Sequence, residues 1–403
     1  MRFNRIRRVT AWAAAVLLLL AAGTGAQAEI TAEKKTERGR VTEITWKDEN
    51  GNVTAGPEGY ATVRYEYAHQ KTTETYYDAE GFPFETEGGY YGRIVSTDSF
   101  LVTTEYIGIN GKPMNTKMGY AKVERRSFMF GAERYTIFYD ETGRTVVVPS
   151  LGYAQVETLA YGKELTGRIY MDEKGNPVDT PAGYAAMRKK MNRNHVVIRE
   201  WYEYADGSAA TGPDGWSRCE ILRDANNKDR ITAVEYYDAA GSLTDAGGYA
   251  REVYQYAKGV VITSRFDAAG NRISYGGNAV SVRRKTKEDR LVEEMFLDET
   301  GEPTTLPEGY AGVKYSYNNA GQLELTQYLD TDGEKTTCSA GYSAVRQTWN
   351  MEGRLISRNY LDMNGQKAVN AAGVSEEQFE YDEDGRLTGS RKYDASGSPV
   401  GNE

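Results

Sequence analysis

A glycine followed by an aromatic residue recurs through this chain at intervals of about thirty-two residues, and that period restricts the fold more than any other feature. The pairs are Gly59-Tyr60, Gly89-Tyr90, Gly119-Tyr120, Gly152-Tyr153, Gly183-Tyr184, Gly215-Trp216, Gly248-Tyr249, Gly309-Tyr310 and Gly341-Tyr342. At Gly277-Asn278 and Gly373-Val374 the glycine keeps its place and the ring is lost. A unit this short cannot bury its own apolar face, so many copies must be stacked. The expected fold is all-β: an elongated, solenoid-like array of about eleven tandem β-hairpin units.

Nearly every unit carries a second landmark, an Asp three residues before a Gly, as in Asp78-Ala79-Glu80-Gly81, Asp140-Glu141-Thr142-Gly143 and Asp298-Glu299-Thr300-Gly301. Asp at the first position and Gly at the fourth is type I turn chemistry. From each Gly-aromatic pair an alternating stretch runs forward, for example Ala61, Val63, Tyr65 and Tyr67, which predicts a half-buried strand. Late copies add a second turn, such as Asn318-Asn319-Ala320-Gly321, and then a second strand. All ten prolines follow a turn glycine, nine of them lying between it and the next Gly-aromatic pair, so that segment is predicted as edge or loop.

Residues 1–28 read as an export signal: Arg2, Arg5, Arg7 and Arg8 precede an apolar run from Ala11 to Ala22, and Ala26-Gln27-Ala28 offers a cleavage site. The mature product is then expected to be secreted or held at the cell surface, with no transmembrane segment. Residues 29–40 read as a charged leader and 41–403 as the repeat array. Removing four Arg and no acid takes the formal charge from −9 to −13, which argues against nucleic acid as a partner. Neither end of the array offers a polar capping unit in the sequence, so self-association or an envelope protein is expected to cover one of them. Cys219 and Cys338 lie nearly four units apart in the repeat phase, too far to bridge in a stacked array.

Catalysis finds little support. The two histidines, His69 and His195, fall in different units, which excludes a His-based triad and a multi-His metal site. The recurring Asp residues occupy one slot in nearly every unit, whereas an active site needs one asymmetric cluster; the turn explains them better. Calcium is the remaining alternative at Asp48-Glu49-Asn50-Gly51, Asp330-Thr331-Asp332-Gly333 and Asp382-Glu383-Asp384-Gly385, although none completes a twelve-residue loop. The expectation is therefore a non-enzymatic protein with no cofactor and no metal.

The recurring rings admit two readings. Exposed along one edge they form a ladder of platforms for sugar faces; packed inward they are the repeated core. Tyr76-Tyr77-Asp78 with Gly81 and Gly89-Tyr90, and Tyr236-Tyr237-Asp238 with Gly241 and Gly248-Tyr249, resemble the choline-binding and glucan-binding cell-wall repeats. That resemblance implies hairpins that hold wall polymers between aromatic rings of neighbouring units. The segment Tyr381-Asp382-Glu383-Asp384-Gly385-Arg386-Leu387 is similar to the Tyr-Asp repeats of RHS-type shell and wall-associated proteins, which implies a β-sheet scaffold. The sequence-based expectation is binding of cell-wall polymer or other glycan through Tyr60, Tyr90, Tyr120, Tyr153, Tyr184, Trp216, Tyr249, Tyr310 and Tyr342. The alternative is a structural spacer or scaffold that engages a protein partner.

Overall fold

A computed structural model describes residues 30–401 except 128–132, 162–163, 228–229, 289 and 383–384. The export signal read in residues 1–28 lies outside the described residues. Among the described residues there are 24 strands, numbered β1 to β24 in chain order, and no helix. No helix is therefore long and apolar enough to cross a membrane. The residues fall into two compact units, one within Phe3–Cys219 together with Asp238–Ala240, the other within Glu220–Tyr237 and Gly241–Glu403.

Within each unit consecutive strands pair antiparallel. The hairpin of β3 (Thr62–Ala68) and β4 (Lys71–Tyr77) pairs from Thr62↔Tyr77 to Ala68↔Lys71. Contact with the preceding strand β2 (Arg40–Lys47) is shorter, running from Glu43↔Arg64 to Thr45↔Thr62. Full pairing inside a hairpin and partial pairing between hairpins follows from the connection, which leaves the sheet once per unit. The landmark turn sends the chain back so that Pro83 bridges Tyr77, as Pro113 bridges Ile107 and Pro177 bridges Met171. An isolated bridge needs no ladder of donors, which is why proline is tolerated there.

The connection then folds over one face of the sheet and closes a tight turn, with Gly59 N–H donating to Gly56 O and Gly56 N–H to Tyr60 O. This turn holds Tyr60 against Val63 and Tyr76, with Trp46, Phe84 and Tyr90 packed around them. Val123, Phe138 and Val148 make the equivalent cluster further along the same unit, and Met295, Leu297, Ala311 and Leu329 make one in the other unit. The residue after the aromatic is the half-buried Tyr91 in the Gly89-Tyr90 copy, but in most copies it is small and shut off from solvent: Ala61, Ala121, Ala154, Ala185, Ala250 and Ala311 have no exposed surface. Its backbone serves both neighbours, since Ala61 N–H donates to Tyr77 O while Ala61 O accepts from Trp46 N–H.

Two findings differ from the expectation. The segment read as a charged leader contains a strand: β1 (Thr31–Glu37) pairs with β2 from Thr31↔Lys47 to Glu37↔Arg40. Every residue of β1 is exposed, so it carries no apolar alternation by which it could be recognised. Charge suits an outer strand, because Lys and Glu discourage edge-to-edge pairing. The second turn is also present in early copies, where no turn motif is visible, because those hairpins close across two residues. His69-Gln70 joins Ala68 to Lys71, and Ser99-Phe100 joins Asp98 to Leu101.

These short turns carry side chains in the left-handed region: Gln70 has φ 54° and Ser99 φ 40°. His195 (φ 59°) occupies the slot that Gly321 and Gly353 fill in later copies. An L-residue in that conformation costs about 1–2 kcal/mol. Gln70→Gly and His195→Gly are therefore each expected to raise stability by about 0.5–1 kcal/mol, after the entropic cost of glycine is deducted. Urea unfolding with no gain, or a loss, would contradict the assignment.

Candidate functional site

The nine Gly-aromatic residues do not stand alone. In the first unit they pack against rings two residues before the landmark turns, giving a single file: Trp46, Tyr60, Tyr76, Tyr90, Tyr106, Tyr120, Phe138, Tyr153, Tyr170, Tyr184, Tyr202 and Trp216. Ring centroids are 4.7 Å apart for Tyr90 and Tyr106 and 5.9 Å for Tyr106 and Tyr120, with tilted or edge-on faces. Such spacing and tilt are favourable for aromatic quadrupoles. In the other unit the file includes Tyr236 with Tyr249, and Phe296, Tyr310, Tyr328, Tyr342 and Tyr360 in succession. Tyr60 and Trp216 are buried, and the other seven of the nine are half-buried.

Where the file loses a ring, other chemistry fills the slot. Two residues before the turn at Asp267 stands Arg265, whose guanidinium lies 4.6 Å from the centroid of Tyr249 and 5.4 Å from that of Tyr275. Glu252 accepts its Nε–H at 2.9 Å. A cation between two rings replaces the missing aromatic. Asn278, the decayed Gly-aromatic position, is exposed, and Tyr275 from the connection serves in its place. Val374 is buried, so there an aliphatic side chain fills the slot.

Carboxylates flank the file. Tyr76 Oη donates to Glu74 at 3.0 Å, and Glu74 also accepts from Arg93 Nε at 2.6 Å. Desolvation raises the phenols of Tyr60 and Tyr76 above the tyrosine range and pushes Tyr120 and Tyr184 up to about 12. A phenol this reluctant to ionise acts as a hydrogen-bond donor and not as a base at neutral pH.

Within each compact unit, neighbouring hairpins are laced together by a repeated device at the hairpin tips. Tyr67 Oη donates to Val41 O at 2.8 Å, Tyr317 Oη to Leu291 O at 2.8 Å and Tyr381 Oη to Leu355 O at 2.9 Å. In each case the preceding arginine, Arg40, Arg290 or Arg354, lies over the same ring. A second lace joins connection to turn: Asn115 Oδ1 accepts Glu141 N–H, Asp179 Oδ1 accepts Ala205 N–H and Asp245 Oδ1 accepts Ala268 N–H.

The landmark aspartates are occupied by their own turns. Asp48 Oδ1 accepts the N–H groups of Asn50 and Asn52, and Asp298 Oδ1 those of Thr300 and Glu302. Among the described residues no group of three or more His, Cys, Asp or Glu is arranged to hold a metal ion, and Glu383 and Asp384 lie outside those residues. Cys219 and Cys338 are buried and form no disulfide. His69 and His195 sit at the tips of different hairpins.

These turns set an acid limit. Asp48 is held below the usual range chiefly by the Asn52 N–H, Asp172 by the Asn176 amide, and Asp140 and Asp298 by the hydroxyls of Thr142 and Thr300. A carboxyl depressed in the folded state stabilises fully above its unfolded value of about 4, and that contribution is lost as pH falls through the folded value. Tm is therefore expected to be level between about pH 5 and 8 from this source and to fall below about pH 4. A Tm unchanged down to pH 2.5 in calorimetry would contradict it.

No protein family model matches the chain. No curated protein matches it either. Among solved structures, the crystal structure of TcdB2-TccC3-TEV is similar over 91% of this chain, at 12% identity and a TM-score of 0.32. The match covers 18% of that chain, so this protein spans less than one fifth of its length.

Proposed function

We propose that the protein is a non-enzymatic β-repeat scaffold of the cell exterior, which presents its sheet and turns to a protein partner. One observation carries this reading: the ladder rings pack on one another at 4.7–6.2 Å in their single file. A ring packed in this way serves cohesion between units first, and its free edge offers little area to a sugar. The resemblance of Tyr381-Asp382-Glu383-Asp384-Gly385-Arg386-Leu387 to Tyr-Asp repeats supports the same reading.

The second reading, glycan or wall-polymer binding along the ladder, is favoured by the partial exposure of seven of the nine rings. The two separate in a sedimentation assay with purified peptidoglycan and with glucan. Tyr120→Leu, Tyr184→Leu and Tyr342→Leu retain apolar bulk and are compared singly and together, with circular dichroism as the fold control. The scaffold reading expects no co-sedimentation of the intact chain with either polymer. Co-sedimentation that falls in steps with each ring removed would overturn it and establish a multivalent ladder.

A further inference from the structure

The landmark turns begin with Asp except at Gly108 and Tyr204. Tyr204 still carries a side chain at that position, but Gly108-Ile109-Asn110-Gly111 has none. This turn borders a pocket of about 490 Å³, lined also by Glu85, Tyr91, Pro113, Met114 and, from the next turn, Glu141. A Cβ at Gly108 would stand 3.1 Å from Met114 Sδ, so the missing side chain is what lets Met114 approach the turn so closely. Ile109 is 62% exposed at the mouth, and Phe82 on the preceding turn is 67% exposed. The pocket thus coincides with a break in the repeat.

The carboxylates supply the second part of the argument. Glu85 stands two residues after Pro83, the slot from which Asn115, Asp179 and Asp245 accept the N–H group of the following turn. Here that bond is not made: among the described residues the Glu85 carboxylate has no hydrogen bond or ion pair, and neither has that of Glu141. A side chain released from the task its equivalents perform, lining a partly apolar hollow together with a second carboxylate, is suited to a cation with an aliphatic stem. The Tyr91 ring adds a quadrupole for the same charge.

We propose that this pocket receives a lysine or arginine side chain from a basic segment of a protein partner, the stem lying on Ile109, Pro113 and Met114 and the head between Glu85 and Glu141. The proposal rests on the scaffold reading and names the chemistry of its partner. It is tested on the full chain with the peptide Ac-Gly-Lys-Gly-amide and a carbodiimide, which joins the lysine amine to any carboxylate it rests against, with sites read by mass spectrometry. Glu85 and Glu141 are expected to be captured at least fivefold more than the turn acids Glu49 and Glu173. Ile109→Ser and Met114→Ser, checked for fold by circular dichroism, are expected to reduce that preference at least threefold.

Even labelling across the acidic surface, or a preference that survives both variants, would overturn the site. Equal capture of n-butylammonium and of the peptide would overturn its assignment to a protein segment. The sedimentation assay turns on the rings and this one on two carboxylates, so failure of the pocket leaves the scaffold reading intact, and polymer binding by the ladder leaves the pocket result readable.

Discussion

Tyr76→Ala is expected to destabilise the first unit by about 3–5 kcal/mol, the range for removing a large aromatic from a packed core. Tyr76 is 4% exposed, its centroid lies 4.7 Å from Tyr60 and 6.0 Å from Tyr90, and its hydroxyl donates to Glu74. Truncation leaves Glu74 and Arg93 without their aromatic cover and opens a gap between two hairpins. Because coupling in a repeat array runs between nearest neighbours, the loss is expected to stay local. Hydrogen exchange should show protection falling in the strands around Tyr60, Tyr76 and Tyr90 and holding near Tyr184. Tyr76→Phe, which keeps the ring, is expected to cost about 1 kcal/mol. A loss below about 1 kcal/mol for the alanine variant would show that the ring file is not what holds neighbouring hairpins together.

The second large effect comes from adding atoms. A Cβ at Gly312 would lie 2.5 Å from Glu294 O and would also run into the Met295 sulfur. The sulfur can swing aside, but the carbonyl belongs to the strand β18 (Arg290–Leu297), which pairs with β19 (Gly312–Tyr317) from Met295↔Gly312 to Glu293↔Lys314. Relief therefore requires the two hairpins to move apart. Gly312→Ala is expected to cost about 3 kcal/mol, at the upper end of overpacking effects. Gly270→Ala, whose Cβ would meet nothing within 4 Å but which sits at φ 88°, is expected to cost less, about 1–2 kcal/mol from backbone strain alone. The reverse order in urea unfolding would place the close approach elsewhere.

The fold was legible because its determinants are local and repeated. Asp-x-x-Gly turns, connection prolines and the alternation through Val63, Tyr65 and Tyr67 each have a short-range cause, and a period exposes them many times over. What escaped was whatever lacked such a mark: β1, whose residues are all polar or small, and hairpins closed by His69-Gln70 without a turn glycine. The ring file was half legible. The Gly-aromatic positions were visible, but their partners, such as Tyr106 and Tyr202, stand two residues before turns at Gly108 and Tyr204 where the landmark Asp is absent. The small residue after most of the rings, Ala61, Ala121 or Ser343, was a signal present in the sequence and read only as part of an alternating strand. Substitution of Arg265 for a ring could not be foreseen, because it depends on Tyr275 arriving from the connection.

The central claim is that each unit's rings are sheltered by those of its neighbours, and alkaline titration of the intact chain tests it most directly. Burial raises the ladder phenols in the folded state, so their contribution is present below the unfolded value of about 10 and is lost as pH rises through the folded values. The account predicts that phenolate absorbance stays incomplete at about pH 11 and that the remaining tyrosines ionise together with loss of the far-UV sheet signal. Complete ionisation near pH 10 with the sheet signal intact would contradict it.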